Sequence, residues 1–220
     1  MNNCIPRASR LVSSALVGLL LLGTAAQAAT ITITSTIVIA AGATYNGNGN
    51  TIKASGMGDG GQGEGQKAFF RLNANSTLKN VKLSAPGVDG CHFYGNGTMN
   101  EVTWQDIGED AHTVKSGGNC WVSGGAAYNG ADKCGQANAA TSLTLYYFYT
   151  DNCLKNIRQN GGTTYTCNFY YDHNTANHTK EAIGRTDSSS TRFGVRGMIV
   201  QNFSGSNGWW YGRQSQSFTY

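Results

Sequence analysis

Acidic and basic side chains recur along this 220-residue chain at a spacing that could build a cation site beside a basic groove. Asp89, Asp110 and Asp132 are 21 and 22 residues apart, and Glu109 adds a carboxylate next to Asp110. Carboxylates gathered in one place repel unless a cation sits among them. All-oxygen donors suit a hard cation, and Ca²⁺ is the best match. Solvated turn carboxylates that share a repeat by coincidence are the competing reading. The basic residues follow the same ruler. Lys115 closes the run Glu109-Asp110-Ala111-His112-Thr113-Val114-Lys115, Lys133 follows Asp132, and Arg158 opens Arg158-Gln159-Asn160-Gly161-Gly162. Singly, each is a surface salt-bridge partner. On successive repeats they line one groove, and Ca²⁺ with two lysines and an arginine suits a polymer that carries carboxylates.

These residues share a face only if the chain itself is periodic. Short β-branched or aromatic runs begin at Leu78, Met99, Cys120, Ser142 and Thr166, separated by 21, 21, 22 and 24 residues. Gly, Asn, Asp or Ser bound each run, as turn formers should. No long amphipathic helical period is present. A strand repeat of this length predicts a solenoid, in which equivalent residues of neighbouring coils stack about 4.8 Å apart.

Composition agrees with a globular, turn-rich, all-β chain of one domain. There are 30 Gly but only 2 Pro, charged residues are 13% and aromatics 10%. Collagen and disorder are both excluded by this balance. The tract Asn46 to Asn50 reads as a turn. Gly56 to Gly65, with Asp59 and Glu64, reads as a solvated loop in preference to a second weak cation site. No phosphate-binding glycine fingerprint opens a helix, and no G-x-S-x-G elbow marks a serine hydrolase.

Arg7 and Arg10 precede an apolar run from Leu11 to Ala26, and Ala26-Gln27-Ala28 has a small-x-small pattern. This predicts a secretory signal peptide over 1–28 and a mature domain over 29–220. The run is short for a membrane span, which needs about 20 residues. Loss of Arg7 and Arg10 lowers the formal charge from +4 to +2, too weak for nucleic acid. Secretion permits disulfides among Cys91, Cys120, Cys134, Cys153 and Cys167, and an odd count leaves at least one thiol unpaired within the chain. With no CxxC pair, zinc is disfavoured, and His173 and His178 read as surface-loop histidines.

Several segments together resemble the pectate lyases of polysaccharide lyase family 3. They include Tyr45-Asn46-Gly47-Asn48-Gly49, Ala85-Pro86-Gly87-Val88-Asp89-Gly90-Cys91-His92, Gly108-Glu109-Asp110-Ala111 and Thr113-Val114-Lys115. They continue through Asp132-Lys133, Arg158-Gln159-Asn160-Gly161-Gly162 and Arg185-Thr186-Asp187-Ser188-Ser189. The likeness runs in order from about Gly42 to Ser190 and fades beyond Arg192. It implies a right-handed, single-stranded parallel β-helix, a monomer secreted to act on polygalacturonate without nucleic-acid or membrane partners. It also implies Ca²⁺ held by Asp89, Glu109 and Asp110, with Asp132 a less secure ligand, and a cleft lined by Lys115, Lys133, Arg158 and Arg185. Cys91 and Cys134 depart from the family's apolar residues, as buried thiols or as a disulfide. Elimination needs a base at the substrate's C5. Arginine is a poor one, whereas lysine can be neutralised by desolvation and nearby cations. Lys133 is therefore expected as the base, with Lys115 or Arg158 as alternatives, and Arg158 is expected to hold the substrate carboxylate. Two rival functions are a polygalacturonase, which needs a pair of acid/base carboxylates, and a pectate-binding wall protein or elicitor without turnover.

Overall fold

A computed structural model describes residues 27–212 and 216–219. Among them every regular element is a β-strand, and all strand pairings are parallel. One sheet holds eight strands, one per turn of the solenoid: Ile37–Ile39, Phe70–Asn73, Cys91–Tyr94, Asp110–Ser116, Lys133–Ala137, Lys155–Gln159, Ala182–Thr186 and Trp210–Gly212. A second sheet of fourteen strands wraps the remaining two faces. Ser76–Leu83 and Gly97–Trp104 run across both faces, whereas later turns divide them. Gly118–Ser123 pairs with the first half of Gly97–Trp104, and Ala126–Tyr128 pairs with its second half.

The corner between those two faces has one cause in six successive turns. Asn80, Glu101, Gly124, Tyr147, His173 and Gly197 occupy equivalent positions, and all have φ between 48° and 63°. A single left-handed residue bends the strand there. It costs an L residue roughly 1–2 kcal/mol unless it is Gly or a self-bonding Asn. Gly124 has a second constraint, since a Cβ there would lie 2.1 Å from the Glu101 carboxylate. Asn80, Glu101 and Tyr147 fall inside the predicted runs, so only some of these corners, such as Gly124, coincide with the turn formers that bounded a predicted strand.

Side chains alternate in and out of the coil, and the inward set stacks into a single core. Leu78, Met99, Val122, Leu145 and Tyr171 form one such row, in register and buried. The strand order agrees with the sequence repeat, but the register differs from the simple ruler. Met99 stands opposite Val122, two residues beyond the expected Cys120. Corners and strand lengths vary between turns, and a two-residue slip keeps the same side chains inside, so strand starts do not mark register. His112 also points inward. It is fully buried against Trp104 and Phe148, with ring centroids 6.1 and 6.3 Å away, and burial pushes its pKa down to about 4. Gly135 on the next strand makes room for it, because a Cβ there would meet the imidazole at 2.3 Å.

Cys134 and Cys153 form a disulfide, while Cys91, Cys120 and Cys167 are free and buried. The expected leader falls almost wholly on residues 1–26, outside the described residues. Among the described residues no helix is long and apolar enough to cross a membrane.

Candidate active site

The candidate cation ligands and basic residues singled out from the sequence lie on or beside the eight-stranded face. Asp89 lies in the turn before Cys91–Tyr94, and Glu109 directly precedes Asp110–Ser116 one coil later. Their backbones nearly touch. The Glu109 amide donates to the Val88 carbonyl at 2.9 Å, and a Cβ on Gly108 would lie 2.2 Å from that same oxygen. Only glycine permits this approach. As a result, one carboxylate oxygen from each of Asp89, Glu109 and Asp110 falls within 4.8 Å of the others.

All three acids are buried, and Asp89 Oδ1 and Glu109 Oε2 have no hydrogen-bond partner in the protein. Asp110 accepts from Thr113 Oγ1 at 3.1 Å, and His92 Nε2 lies 2.9 Å from Asp89 Oδ2. Burial pushes the Glu109 carboxyl up to about 7, with repulsion from Asp89, Glu64 and Asp110 adding to it and Lys115 opposing it. Burial likewise raises Asp110 to about 6 despite Lys133. A cluster of hard oxygen donors with unsatisfied lone pairs and too little positive charge fits a divalent cation such as Ca²⁺.

Lys133 stands opposite Asp110 in the ladder, its Nζ 3.1 Å from Asp110 Oδ1 and 2.9 Å from Asp132 Oδ2. Burial alone would lower its pKa, but Asp110 and Asp132 hold it above the usual lysine value. Asp132 also bonds Lys155, which lies 3.2 Å from Glu181, and Glu181 accepts from Arg185 Nη1 at 2.6 Å. Charges therefore alternate along the strand starts of four successive coils. Asp132 belongs to this zipper and stands outside the three-acid cluster. The spacing of 22 placed it with Asp110, but Lys133 is the residue in register with Asp110, so Asp132 is offset by one position.

A second row has Thr113, Gln136, Arg158 and Arg185 at equivalent ladder positions, with Thr113 buried and the other three partly exposed. Arg158 Nη2 lies 3.6 Å from Asp187, and its Nη1 has no protein partner. Arg185 stacks over the Tyr211 ring at 4.5 Å. Lys115 has a different device. The register skips from Phe93 opposite Val114 to Tyr94 opposite Ser116, so Lys115 is the extra residue of a β-bulge. Bulges re-aim a side chain locally. The Gly56–Gly65 loop reaches this rim, where Gln62 Nε2 donates to the Gly108 carbonyl at 2.7 Å. Asp59 bonds its own loop at Gly61, and neither it nor Glu64 joins the acid cluster.

Lys155, Glu181 and His92 were not singled out as site residues from the sequence. Lys155 had a usable signal, since it lies 22 residues after Lys133. Glu181 had none, because the loop before its strand breaks the spacing.

A family model described as pectate lyase matches residues 22–214. A probable pectate lyase F of Aspergillus fumigatus is 34% identical over 122 residues, covering 53% of this chain and 52% of that protein. A probable pectate lyase F of Aspergillus terreus is 33% identical over 124 residues, covering 54% and 53%. A probable pectate lyase D of Emericella nidulans is 30% identical over 129 residues, covering 58% and 46%. The chain spans about half the length of the curated relatives it matches.

Proposed function

This chain belongs to the pectate lyase family, and from that premise we propose that it is secreted and cleaves de-esterified pectin, (1→4)-α-D-galacturonan, by β-elimination. The observation that carries the reading is the buried Asp89–Glu109–Asp110 cluster, with unsatisfied oxygens, directly beside Lys133, with Arg158 two strands beyond Asp110 along the same sheet. Asp89, Glu109 and Asp110 would hold Ca²⁺. When bound, the cation would offset the acids' charge, compete with Lys133 for Asp110, and act as a Lewis acid toward a uronate carboxylate.

The chain's own groups do the rest. The C5 proton of a galacturonate is acidic because it lies α to the C6 carboxylate. Lys133 Nζ, held as an ammonium by Asp110 and Asp132, must first lose its own proton to solvent, which cation charge at Asp110 favours; the neutral amine then takes the C5 proton. The C5–H pair forms the C4–C5 double bond, the C4–O bond breaks, and the leaving oxygen gains a proton. Arg158, partly exposed and loosely held by Asp187 at 3.6 Å, grips the substrate carboxylate through its planar fork. Lys115 on its bulge and Arg185 one rung beyond Arg158 add positive charge for neighbouring uronates. No water is consumed, so the products are 4,5-unsaturated oligogalacturonides.

The test is to incubate the protein with polygalacturonate, with and without Ca²⁺, and to follow ultraviolet absorbance of the unsaturated ends. Rising absorbance that EDTA abolishes supports the reading. Chain shortening without absorbance would make the enzyme a hydrolase. Binding without any cleavage would make it a pectate-binding protein.

A further inference from the structure

The face formed by Gly118–Ser123, Thr141–Tyr146 and Asn168–Asp172 holds a trough unrelated to the acid cluster. Its outward residues include three aromatics. Trp121 is 48% exposed and Tyr146 39%, while Tyr170 is half-buried. Trp121 pairs with Thr144 and Thr144 with Tyr170, so the two rings occupy one row, two rungs and about 9.6 Å apart. A cavity of about 570 Å³ lies over these rings, and a second of about 320 Å³ continues it past Trp121 toward Thr98 and Thr77. Between Thr77 and Arg196 the trough crosses six parallel strands, a run of about 24 Å along the solenoid axis.

Length, ring spacing and charge select the occupant. A trough open along the axis suits an extended polymer better than a compact molecule. Hexopyranose rings present flat C–H faces that cover aromatic side chains, and their equatorial hydroxyls meet polar neighbours such as Asn119, Ser142 and Thr144. The two charged lining residues, Asp172 and Arg196, are paired with each other. The basic residues that suit a polyuronate, Lys133, Lys155, Arg158 and Arg185, lie together on the eight-stranded face. Exposed aliphatics, which an interface between copies would use, lie elsewhere, at Ile31, Val38 and Ile199. Tyr147, stacked on His173 at 4.9 Å, borders the trough with further aromatic surface.

We propose that this face is a second carbohydrate-binding site, which holds a neutral polysaccharide chain along the solenoid axis through Trp121, Tyr146 and Tyr170. It would keep the protein on a mixed polysaccharide solid while the acid-cluster face works on the acidic component. The site is independent of the lyase reading and stands if that reading fails.

Native gels cast with hydroxyethylcellulose, with β-1,4-galactan or with no polysaccharide test it. Wild-type protein is expected to be retarded by at least one neutral polysaccharide. Trp121→Ala and Tyr146→Ala are each expected to weaken that retardation about tenfold, as anchor aromatics do. Both variants should retain wild-type melting and wild-type turnover of soluble polygalacturonate. Tyr146→Ala decides the matter if Trp121→Ala does not fold. Unretarded wild type in both gels overturns the proposal, as does undiminished retardation of the variants. A wild-type dimer in sedimentation that Trp121→Ala dissociates also overturns it, and assigns the face to self-association. A gel shift in a protein with no lyase activity supports this proposal while refuting the other.

Discussion

Lys133 and Asp110 stand directly opposite each other on neighbouring strands, with Nζ 3.1 Å from Oδ1. Asp110 is therefore shared between the basic zipper and the acid cluster. Any cation held by that cluster competes with the lysine for the same carboxylate, so cation occupancy and the protonation of Lys133 are linked. Asp132, the other partner, is itself shared with Lys155, so the zipper can yield at Asp110 without leaving Lys133 unpaired.

Lys133→Ala should lower elimination on polygalacturonate by about 10²–10⁴-fold, the usual scale for a lost general base. Lys133→Arg should preserve the pairing with Asp110 and Asp132, and hence the melting temperature, yet remain slow because guanidinium does not give up its proton. Full activity in Lys133→Ala would remove the lysine from the proton-transfer role and leave Lys115 or Arg158 as the base.

Arg158→Lys should raise KM for polygalacturonate about tenfold or more, since an ammonium cannot reproduce the planar two-point grip. The measurement is steady-state kinetics at fixed Ca²⁺. An unchanged KM with a collapsed kcat would instead make Arg158 part of the proton transfer.

Stability without cation should carry a pH signature of the acid cluster. Glu109 rises from 4.5 to about 7 and Asp110 from 3.8 to about 6, so the folded state binds more protons than the unfolded state across roughly pH 4–7. Their contribution is present at low pH and is lost as pH rises through that window. His112 acts in the opposite sense, because its pKa falls from 6.5 to about 4. The difference between wild type and Glu109→Gln isolates the carboxyl. In EDTA, wild-type melting should fall relative to Glu109→Gln from pH 5 to 8. Ca²⁺ should reverse the order at pH 8. Parallel curves for the two proteins would show that Glu109 is not in a strained acid cluster.

Gly108→Ala should destabilise the protein by about 1–3 kcal/mol, the usual cost of forcing atoms into a filled space. The added Cβ would meet backbone, the Val88 carbonyl at 2.2 Å, and would push the two acid-bearing turns apart. Gly63→Ala is the control, as nothing lies within 4 Å of its Cβ. Chemical denaturation and Ca²⁺ titration of both variants should separate them, with equal affinities counting against the close approach.

Cys153→Ser should cost about 3 kcal/mol, from the chain entropy released by opening a loop of this size. Cys134 and Cys153 are 19 residues apart, and Cys134 adjoins Lys133. Loss of the bridge should therefore lower activity as well as melting temperature. Identical melting of the reduced and oxidised protein would show that the bridge carries no stability.

Much of the site was legible without coordinates because a solenoid turns sequence distance into spatial distance. Asp89, Glu109 and Asp110 could be grouped from a spacing near one turn, and the structure brings their oxygens together. Asp132 shows where that reasoning fails. A ruler accurate to one residue cannot separate a cation ligand from a salt-bridge partner, and the ladder register assigns it to Lys133 and Lys155. Lys115 is a second case, since neither composition nor spacing reveals a bulge.

What the sequence by itself determined was the all-β repeat and the acidic and basic residues that recur with it, because these depend on residue type and period. The tertiary structure decided which residues face one another. It showed Cys134 bonded to Cys153 while Cys91 stays a buried thiol, and His112 turned into the core over Gly135. It also placed Trp121 and Tyr170 in one row, two rungs apart. The physical reason is register: pairing between strands is set by the sum of every corner and bulge between them. One inserted residue redirects a side chain without changing the pattern that produced the strand.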